Sequence, residues 1–404
     1  MRILFLTQWF QPESFFKGLP FARALKNKGH EVEVLTGFPN YPGGKIYPGY
    51  KVQLYKKEMM DGITVHRVPL YPSHDKSALR RIINYLSFSL SAFLMGPWLI
   101  KKPDVIYVYN LVTLGPAAYL LRLLYGAKVI IDVQDLWPQS VADSGMLENK
   151  IVLNILNGFC NQVYNKADLL TVLSPGFKNH LAGRKIDERK IHVIYNWCDE
   201  SAIGNTNMKA GREYNESKKL TVLYAGAMGV VQGLDTVLEC AKMCMDNMPD
   251  IQFTLIGEGA DRKRLERLAA EMSLRNVTFL PRRPIEKMAE IYDKADVLLV
   301  HLKDYPLFRI TIPSKTQAYL YMGKPIVNAV HGDAAALVEE AGAGIVCTPD
   351  QPSAMMEAIK KLYEAGPQTR QRMGRAGHDY YMRRLSFDKG ADQFESLMSA
   401  MVKQ

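Results

Sequence analysis

The chain has 404 residues, of which 48% are hydrophobic, 23% charged and 10% aromatic. At roughly 100–200 residues per domain, that is two domains, each large enough for its own core, and wholesale disorder, collagen repeats and heptad arrays are excluded. Lys and Arg total 51 against 41 Asp and Glu, a formal charge of +10, which admits a phosphate-bearing ligand, nucleic acid or an anionic membrane face as partner.

The beginning of the chain reads as fold, not leader. Met1-Arg2 is followed by four apolar residues before Thr7 and Gln8, too short a run for a secretory signal. Strand Ile3–Thr7 leads to a helix over Pro20–Lys28, closed by Gly29. Strands follow at Glu31–Thr36 and Ile63–Val68. Ile82–Ile100 is apolar and long enough to span a bilayer, but Asn84, Ser87, Ser91 and Pro97 interrupt it. Three readings stay open for it: a membrane span, which those residues disfavour, an ordinary core helix, or an interfacial helix whose flanks, Arg80-Arg81 and Lys101-Lys102, suit an anionic leaflet. Asp104–Tyr109, Lys128–Val133, Leu169–Leu173 and Ile191–Tyr195 are strands; Gly115–Tyr125 and Ile151–Asn165 are helices. This alternation, with near-continuous Val/Ile/Leu runs, predicts parallel βαβ units.

Residues 199–219 are polar, with Gly and Asn, and read as a linker between a first domain (1–198) and a second (220–382). The pattern then restarts. Strands are expected at Leu220–Ala225, Ile251–Ile256, Val277–Leu280, Val297–Val300, Pro325–Asn328 and Ile345–Cys347. Helices are expected at Leu234–Met245, Asp261–Met272, Ile285–Lys294, Lys315–Met322, Ala334–Ala341 and Pro352–Ala365, with a terminal helical segment at 383–404. Two doubly wound α/β domains place ligands at the carboxyl ends of their strands, in a cleft between the halves.

Absences narrow the chemistry. The five cysteines (Cys160, Cys198, Cys240, Cys244, Cys347) form no CxxC pair, so zinc ribbons and thioredoxin chemistry lack support, and reduced thiols fit best. Cys240 and Cys244 share a helix face and read as small half-buried residues. There is no GxGxxG, no GxxxxGK[ST] and no DxD, so a phosphate ligand has to be met by organic cations and backbone donors, with no metal expected.

Three segments carry chemistry. In the first, Tyr224–Gly233, a strand feeds a loop with Gly226, Gly229 and Gly233, then a helix. Its N–H groups suit an anion, though a plain tight turn has the same sequence. Around Gly226 stand Ala227, Met228 and Gln232. In the second, Asp304–Lys315, Arg309 and Lys315 flank a proline loop, with Ser314 as N-cap after Pro313. These cations, with Arg282 and Arg283 after a strand, either neutralise a leaving diphosphate or are solvated surface charges. In the third, Asp132–Pro138, Asp135 ends a buried strand, where it orients or deprotonates a hydroxyl or serves the structure as a cap.

Taken together, GHEVEVLTGFPNYPGGKIYPGY (29–50), DLWPQS (135–140), NWCD (196–199), YAGAMGVVQGLDTVLE (224–239), IGEGADRKRLERLA (256–269), NVTFLPRRP (276–284), ADVLLVHLKD (295–304) and IPSKTQAYLYMGKPIV (312–327) span almost the whole chain. They resemble the GT-B-fold retaining glycosyltransferases of family four, in particular bacterial O-antigen and capsule enzymes including N-acetylfucosamine-type transferases. The resemblance implies two facing Rossmann-like domains and a C-terminal helix returning toward the first. It implies a UDP-sugar donor in the second domain and an undecaprenyl-diphosphate-linked saccharide acceptor in the first. It also implies a cytoplasmic enzyme, peripheral at the inner face of the membrane, with no cofactor and no nucleic acid.

Under the resemblance, Asp135, Lys315 and Arg309 are the catalytic candidates. Gly226, Ala227, Met228, Gly229, Gln232, Glu258, Arg282, Arg283, Pro313, Ser314 and Gln317 are donor candidates. Glu13, Lys17, Asn110 and Gln134 are acceptor candidates. The chain departs from the family at several points. Glu13 to Gly18 replaces a Gly-Gly loop, and the family's Arg…Lys diphosphate pair falls on Ala227 and Gln232. Its paired glutamates fall on Ile310 and Ala318, and its first-domain histidine on Gln134. A sugar-nucleotide 2-epimerase and a non-catalytic nucleotide-sugar binder are the competing readings.

Overall fold

The computed structural model describes residues 1–13, 15, 17–73, 77–139, 149–204 and 219–403. The chain divides into two compact units, Met1–Ile194 with Ala391–Gln404, and Tyr195–Gly390.

Among the described residues, the first unit holds an eight-stranded sheet of order β3-β4-β2-β1-β5-β6-β7-β8. The strands are β1 (Arg2–Leu6), β2 (Glu31–Gly37), β3 (Lys56–Met60), β4 (Ile63–Val68), β5 (Val105–Tyr109), β6 (Lys128–Val133), β7 (Leu169–Val172) and β8 (Ile191–Val193). All neighbours are parallel except β3 and β4. The hairpin was not legible as a strand because KKEMM has no apolar alternation. Its signal is the turn, where Asp61 and Gly62 both take positive φ, the Asp-Gly geometry that matches strand twist.

Helices α1 (Leu19–Asn27), α2 (Ala78–Leu99), α3 (Gly115–Tyr125), α4 (Lys150–Lys166) and α5 (Pro175–Gly183) complete the unit. Strands such as β5 are buried along their whole length, as expected for a sheet covered on both faces.

The second unit opens on a short helix, α6 (Glu200–Ile203), capped by Asp199. Most of the expected linker, residues 205–218, lies outside the described residues. The six-stranded parallel sheet runs β11-β10-β9-β12-β13-β14. Its strands are β9 (Leu220–Ala225), β10 (Ile251–Ile256), β11 (Val277–Leu280), β12 (Val297–His301), β13 (Ile326–Ala329) and β14 (Gly344–Val346). The helices are α7 (Leu234–Asn247), α8 (Arg262–Glu271), α9 (Met288–Lys294), α10 (Pro306–Arg309), α11 (Ser314–Tyr321), α12 (Asp333–Glu340), α13 (Pro352–Glu364) and α14 (Gly366–Arg384). Leu220, Val222 and Tyr224 share one core with α7 and α13, and Cys240 and Cys244 are fully buried in it.

The terminal helix expected at 383–404 is preceded by a long helix that was not expected. That preceding helix, α14, ends at Arg384; after a break at Leu385-Ser386, α15 runs over Phe387–Lys403. The Lys389 N–H donates to the Ser386 side chain, which tends the new helix start. The end of α15 belongs to the first unit, where Phe394 packs edge-on against Phe21 and Tyr107.

Order 11-10-9-12 puts the topological switch of the second sheet between β9 and β12, so the loop after β9 opens a ligand crevice. That loop is backed by the one after β10. A Cβ on Gly257 would sit 1.8 Å from the Gly226 carbonyl oxygen, and one on Gly259 would sit 2.1 Å from that of Met228. The two glycines therefore serve a close approach of two backbones. Gly257→Ala should lower stability by about 1–3 kcal/mol, read as a lower urea midpoint at unchanged slope.

Candidate functional site

The loop after β9 is built by its own backbone. Gly226 and Met228 donate N–H groups to the carbonyls of Ile256 and Glu258, 2.9 Å each. The Tyr224 hydroxyl donates to the Ala227 carbonyl at 2.6 Å. Gln232 accepts the Gly229 N–H through its side chain at 2.9 Å, and its own carbonyl lies 2.7 Å from His301 Nδ1. Gly233 takes a left-handed conformation (φ 57), and a Cβ there would meet the His301 ring. Gln232 thus shapes the turn. The Glu258 carboxylate is spoken for by Arg262 at 2.6 Å.

Lys315 reaches this loop from the first turn of α11. Its Nζ lies 3.7 Å from the centroid of the Tyr224 ring, and a Cβ on Gly226 would stand 2.9 Å from it. The nitrogen is sealed from solvent and has no hydrogen-bond partner. Burial alone lowers its pKa to about 7, because no carboxylate offsets the lost hydration. Beside it, the Thr316 hydroxyl is also sealed and unpartnered. Pro313, not Ser314, is the N-cap of α11, and no side chain caps the helix. With its amide turned the way its neighbours favour, Gln317 donates to the Pro313 and Ser314 carbonyls at 2.7 and 3.2 Å.

The other expected cations lie differently. Arg309 is exposed and forked onto Asp304, at 2.9 and 2.7 Å. Arg282 and Arg283 are exposed after β11. Arg283 borders a cavity of about 360 Å³ with Lys287, Glu290 and Lys294, against β9 and β10, and its lining does not include the 226–233 loop.

In the first unit the organising group is Asp132, at the end of β6, which the sequence reading passed over. Its carboxylate is buried and accepts from Lys17 Nζ (2.7 Å), the Tyr107 hydroxyl (2.7 Å), Gln134 Nε2 (2.8 Å) and the Thr171 hydroxyl (3.0 Å). Lys17 also stands over the Phe394 ring at 4.8 Å. Lys17 and Glu13 were expected at the acceptor surface, but the structure buries both. Glu13 accepts the N–H groups of Phe10, Asn40 and Tyr41, at 3.1, 2.7 and 2.7 Å. Burial raises its carboxyl to about 7 against those donors. Both residues therefore hold the loop after β1, of which Ser14 and Phe16 lie outside the described residues.

Asp135 and Asn110 do meet. Asn110 sits at positive φ (68) just after β5, a conformation asparagine tolerates, and its N–H donates to the Asp132 carbonyl. Its side chain bonds Asp135, whose carboxyl keeps an exposed edge while the protein crowded around it raises its pKa. Alongside lies an aromatic group without an expected role: Trp9 stacks on Phe15, and Tyr85 meets Trp9 and Trp137 edge-on. Of these residues only Trp137 lies in a segment that carries the family resemblance.

Comparison with known proteins assigns the class. Residues 19–197 match the family described as glycosyl transferase 4-like domain, and residues 208–380 match glycosyl transferases group 1. The chain is a GT-B-fold glycosyltransferase of the family-four type. It is 27% identical over 310 residues to WcaI of Escherichia coli (strain K12), a glycosyl transferase named for colanic acid biosynthesis, covering 74% of this chain and 75% of that one. Among solved structures, HepE of Anabaena in complex with UDP superimposes with a TM-score of 0.69 at 15% identity, over 99% of this chain and 100% of that one. A trehalose 6-phosphate synthase from Burkholderia multivorans gives 0.72 at 13%, over 100% and 97%.

Two outcomes follow from this geometry. Lys17→Met leaves a buried carboxylate without its counter-charge and should cost about 3–5 kcal/mol of stability in urea titration. Lys315 has the opposite sign. The unfolded lysine holds its proton up to about pH 10.5, the folded one only to about 7. The unfolded chain therefore binds more protons between those values, and stability rises with pH across that window. Lys315→Met should raise the melting temperature of the ligand-free protein most at pH 7 and below, with the gain fading toward pH 10.

Proposed function

We propose that the chain transfers a sugar, with retention of configuration, from a UDP-sugar to a lipid-linked saccharide during synthesis of a bacterial surface polysaccharide such as an O-antigen or capsule. The sugar is an N-acetylated amino or deoxyamino sugar, and the acceptor an undecaprenyl-diphosphate-linked saccharide at the inner face of the cytoplasmic membrane. The observation that carries the donor half is the sealed, unpartnered Lys315 ammonium beneath a glycine loop. An ammonium without water or counter-ion is costly, and a diphosphate supplies what it lacks. The UDP bound in HepE and the polysaccharide named for WcaI support the same reading.

Breaking the glycosidic bond leaves negative charge on the departing diphosphate, and catalysis consists chiefly of stabilising that charge. Lys315 and the N–H groups around Gly226 and Gly229 take this role. Arg309 joins them by exchanging its Asp304 partner for phosphate. Asp135, steadied by Asn110, orients the acceptor hydroxyl, and its proton passes to the leaving phosphate as the new bond forms on the same face.

A charge-assisted hydrogen bond contributes about 1.5–3 kcal/mol, so Lys315→Ala should lower kcat/KM for the donor by about one to two decades. Transfer at the wild-type rate by that variant, with saturating donor, sinks the proposal. UDP binding at pH 8 should take up about one proton as Lys315 recharges, seen by calorimetry in buffers of different ionisation enthalpy. A thermal-shift screen of nucleotide sugars identifies the donor, a ligand at 100 times its Kd adding about 2.7 kcal/mol. Conversion of UDP-N-acetylglucosamine alone to a new sugar points instead to the epimerase.

A further inference from the structure

Helix α2 is built inside out. Its uncharged polar residues Asn84, Ser87 and Ser89 are turned to the protein. Asn84 is buried, donating to the Tyr71 carbonyl at 2.6 Å and accepting from Gln8, and Ser87 accepts the Tyr71 N–H at 2.8 Å. Ser89 donates to the Thr113 hydroxyl at 2.9 Å. Its large apolar residues face out: Leu79, Ile83, Leu86, Leu90, Leu94 and Trp98 are all exposed, the last at 88%. Their spacing of three and four residues makes one stripe along a helix of 22 residues, about 33 Å long. Single exposed leucines are ordinary, but a continuous stripe of this length marks an interaction surface.

The stripe continues sideways. Beside α2 runs α3, whose Tyr125 hydroxyl donates to the Pro97 carbonyl at 2.7 Å, and it exposes Leu123 and Leu124. Neither helix contains an Asp or a Glu. The exposed basic residues Arg80, Lys101 and Lys102 stand at the two ends of α2. An apolar face with exposed basic residues at both ends is complementary to a bilayer surface bearing anionic headgroups.

Length and hydropathy alone also allow α2 to cross a membrane. The packing opposes it. Phe88 and Ala92 are buried, and Gly96 lies against Leu35 and Leu121. Crossing would strip these contacts and strand Asn84 in hydrocarbon.

We propose that the outer face of α2, extended by α3, is the surface by which this chain lies on an anionic membrane, immersing the stripe at headgroup depth. This deepens the lipid-linked acceptor reading and rests on it for purpose, though not for evidence. Tyr85, on α2 itself, touches Trp9 and Trp137 beside Asp135, so docking brings the acceptor-side aromatic group to the height of a lipid headgroup.

The test is sedimentation of the full chain with vesicles of phosphatidylcholine, with and without phosphatidylglycerol. The wild type should bind the anionic vesicles, more weakly as salt rises. Leu90→Glu with Leu94→Glu should weaken binding by about tenfold or more, while UDP still raises the melting temperature as in the wild type. Lys101→Glu with Lys102→Glu, which disturbs no packing, should reduce binding to the anionic vesicles and leave the remainder salt-insensitive. Lys315→Ala should weaken UDP binding by about one to two decades and keep vesicle binding, so failure of the donor reading leaves this surface standing. The proposal is overturned if the wild type stays in the supernatant, or if both double variants bind as well as it does. It is also overturned if sedimentation velocity shows that the stripe joins two copies of the chain and vesicles are ignored.

Discussion

A lysine and an aspartate 115 positions apart in sequence, Lys17 and Asp132, form an ion pair with almost no solvent contact, and the strand ends of the first unit are arranged around it. Burying two charges is expensive, and the attraction repays it only if the remaining hydrogen-bonding capacity is filled. Asp132 fills its own with Tyr107, Thr171 and Gln134, from β5, β7 and the segment after β6. Removing one partner strands the other. The pair therefore locks the loop after β1 to the end of β6, and Asp135, three residues farther on, inherits a fixed position.

The second unit uses the same side chain in the opposite way. Lys315 has a ring beneath it and glycine backbone before it, and no counter-charge. One lysine is satisfied and structural, and the other is left wanting an anion. The loop facing it is fixed without charge, by backbone pairing to the 257–261 segment and by Gln232 and His301. On the proposed reading, a loop fixed in this way meets a developing charge without rearranging. The arrangement also accounts for the neutral residues at 227 and 232, since the charge enters from α11.

Much of this was legible in the chain. Runs such as Val105–Tyr109 and Val297–His301 are continuous because their strands are covered on both faces, and their spacing announced two parallel sheets. The glycine loop and Lys315 were visible as types at known places. What stayed hidden depends on partners distant in sequence. Asp132 is one aspartate among many until Lys17 folds onto it, and Glu13 looks like a surface loop residue until three N–H groups converge on it. Arg309 looked like a free cation because Asp304, five residues away, was read only as part of the same loop. The inverted polarity of α2 escaped a count of polar residues, because the count cannot say which way they point.

An anion-hungry lysine has a consequence beyond the reaction. In the absence of donor, the folded chain holds Lys315 at the cost of its burial, either as an unpaired ammonium or by giving up its proton, and a ligand that binds only the folded form makes the empty protein unfold more readily than the loaded one. On the proposed reading, the lifetime of the enzyme in the cell then follows the supply of its nucleotide sugar, because proteases act on the fraction that opens. A cell short of activated sugar would clear the transferase it cannot use, with no regulator beyond the site itself.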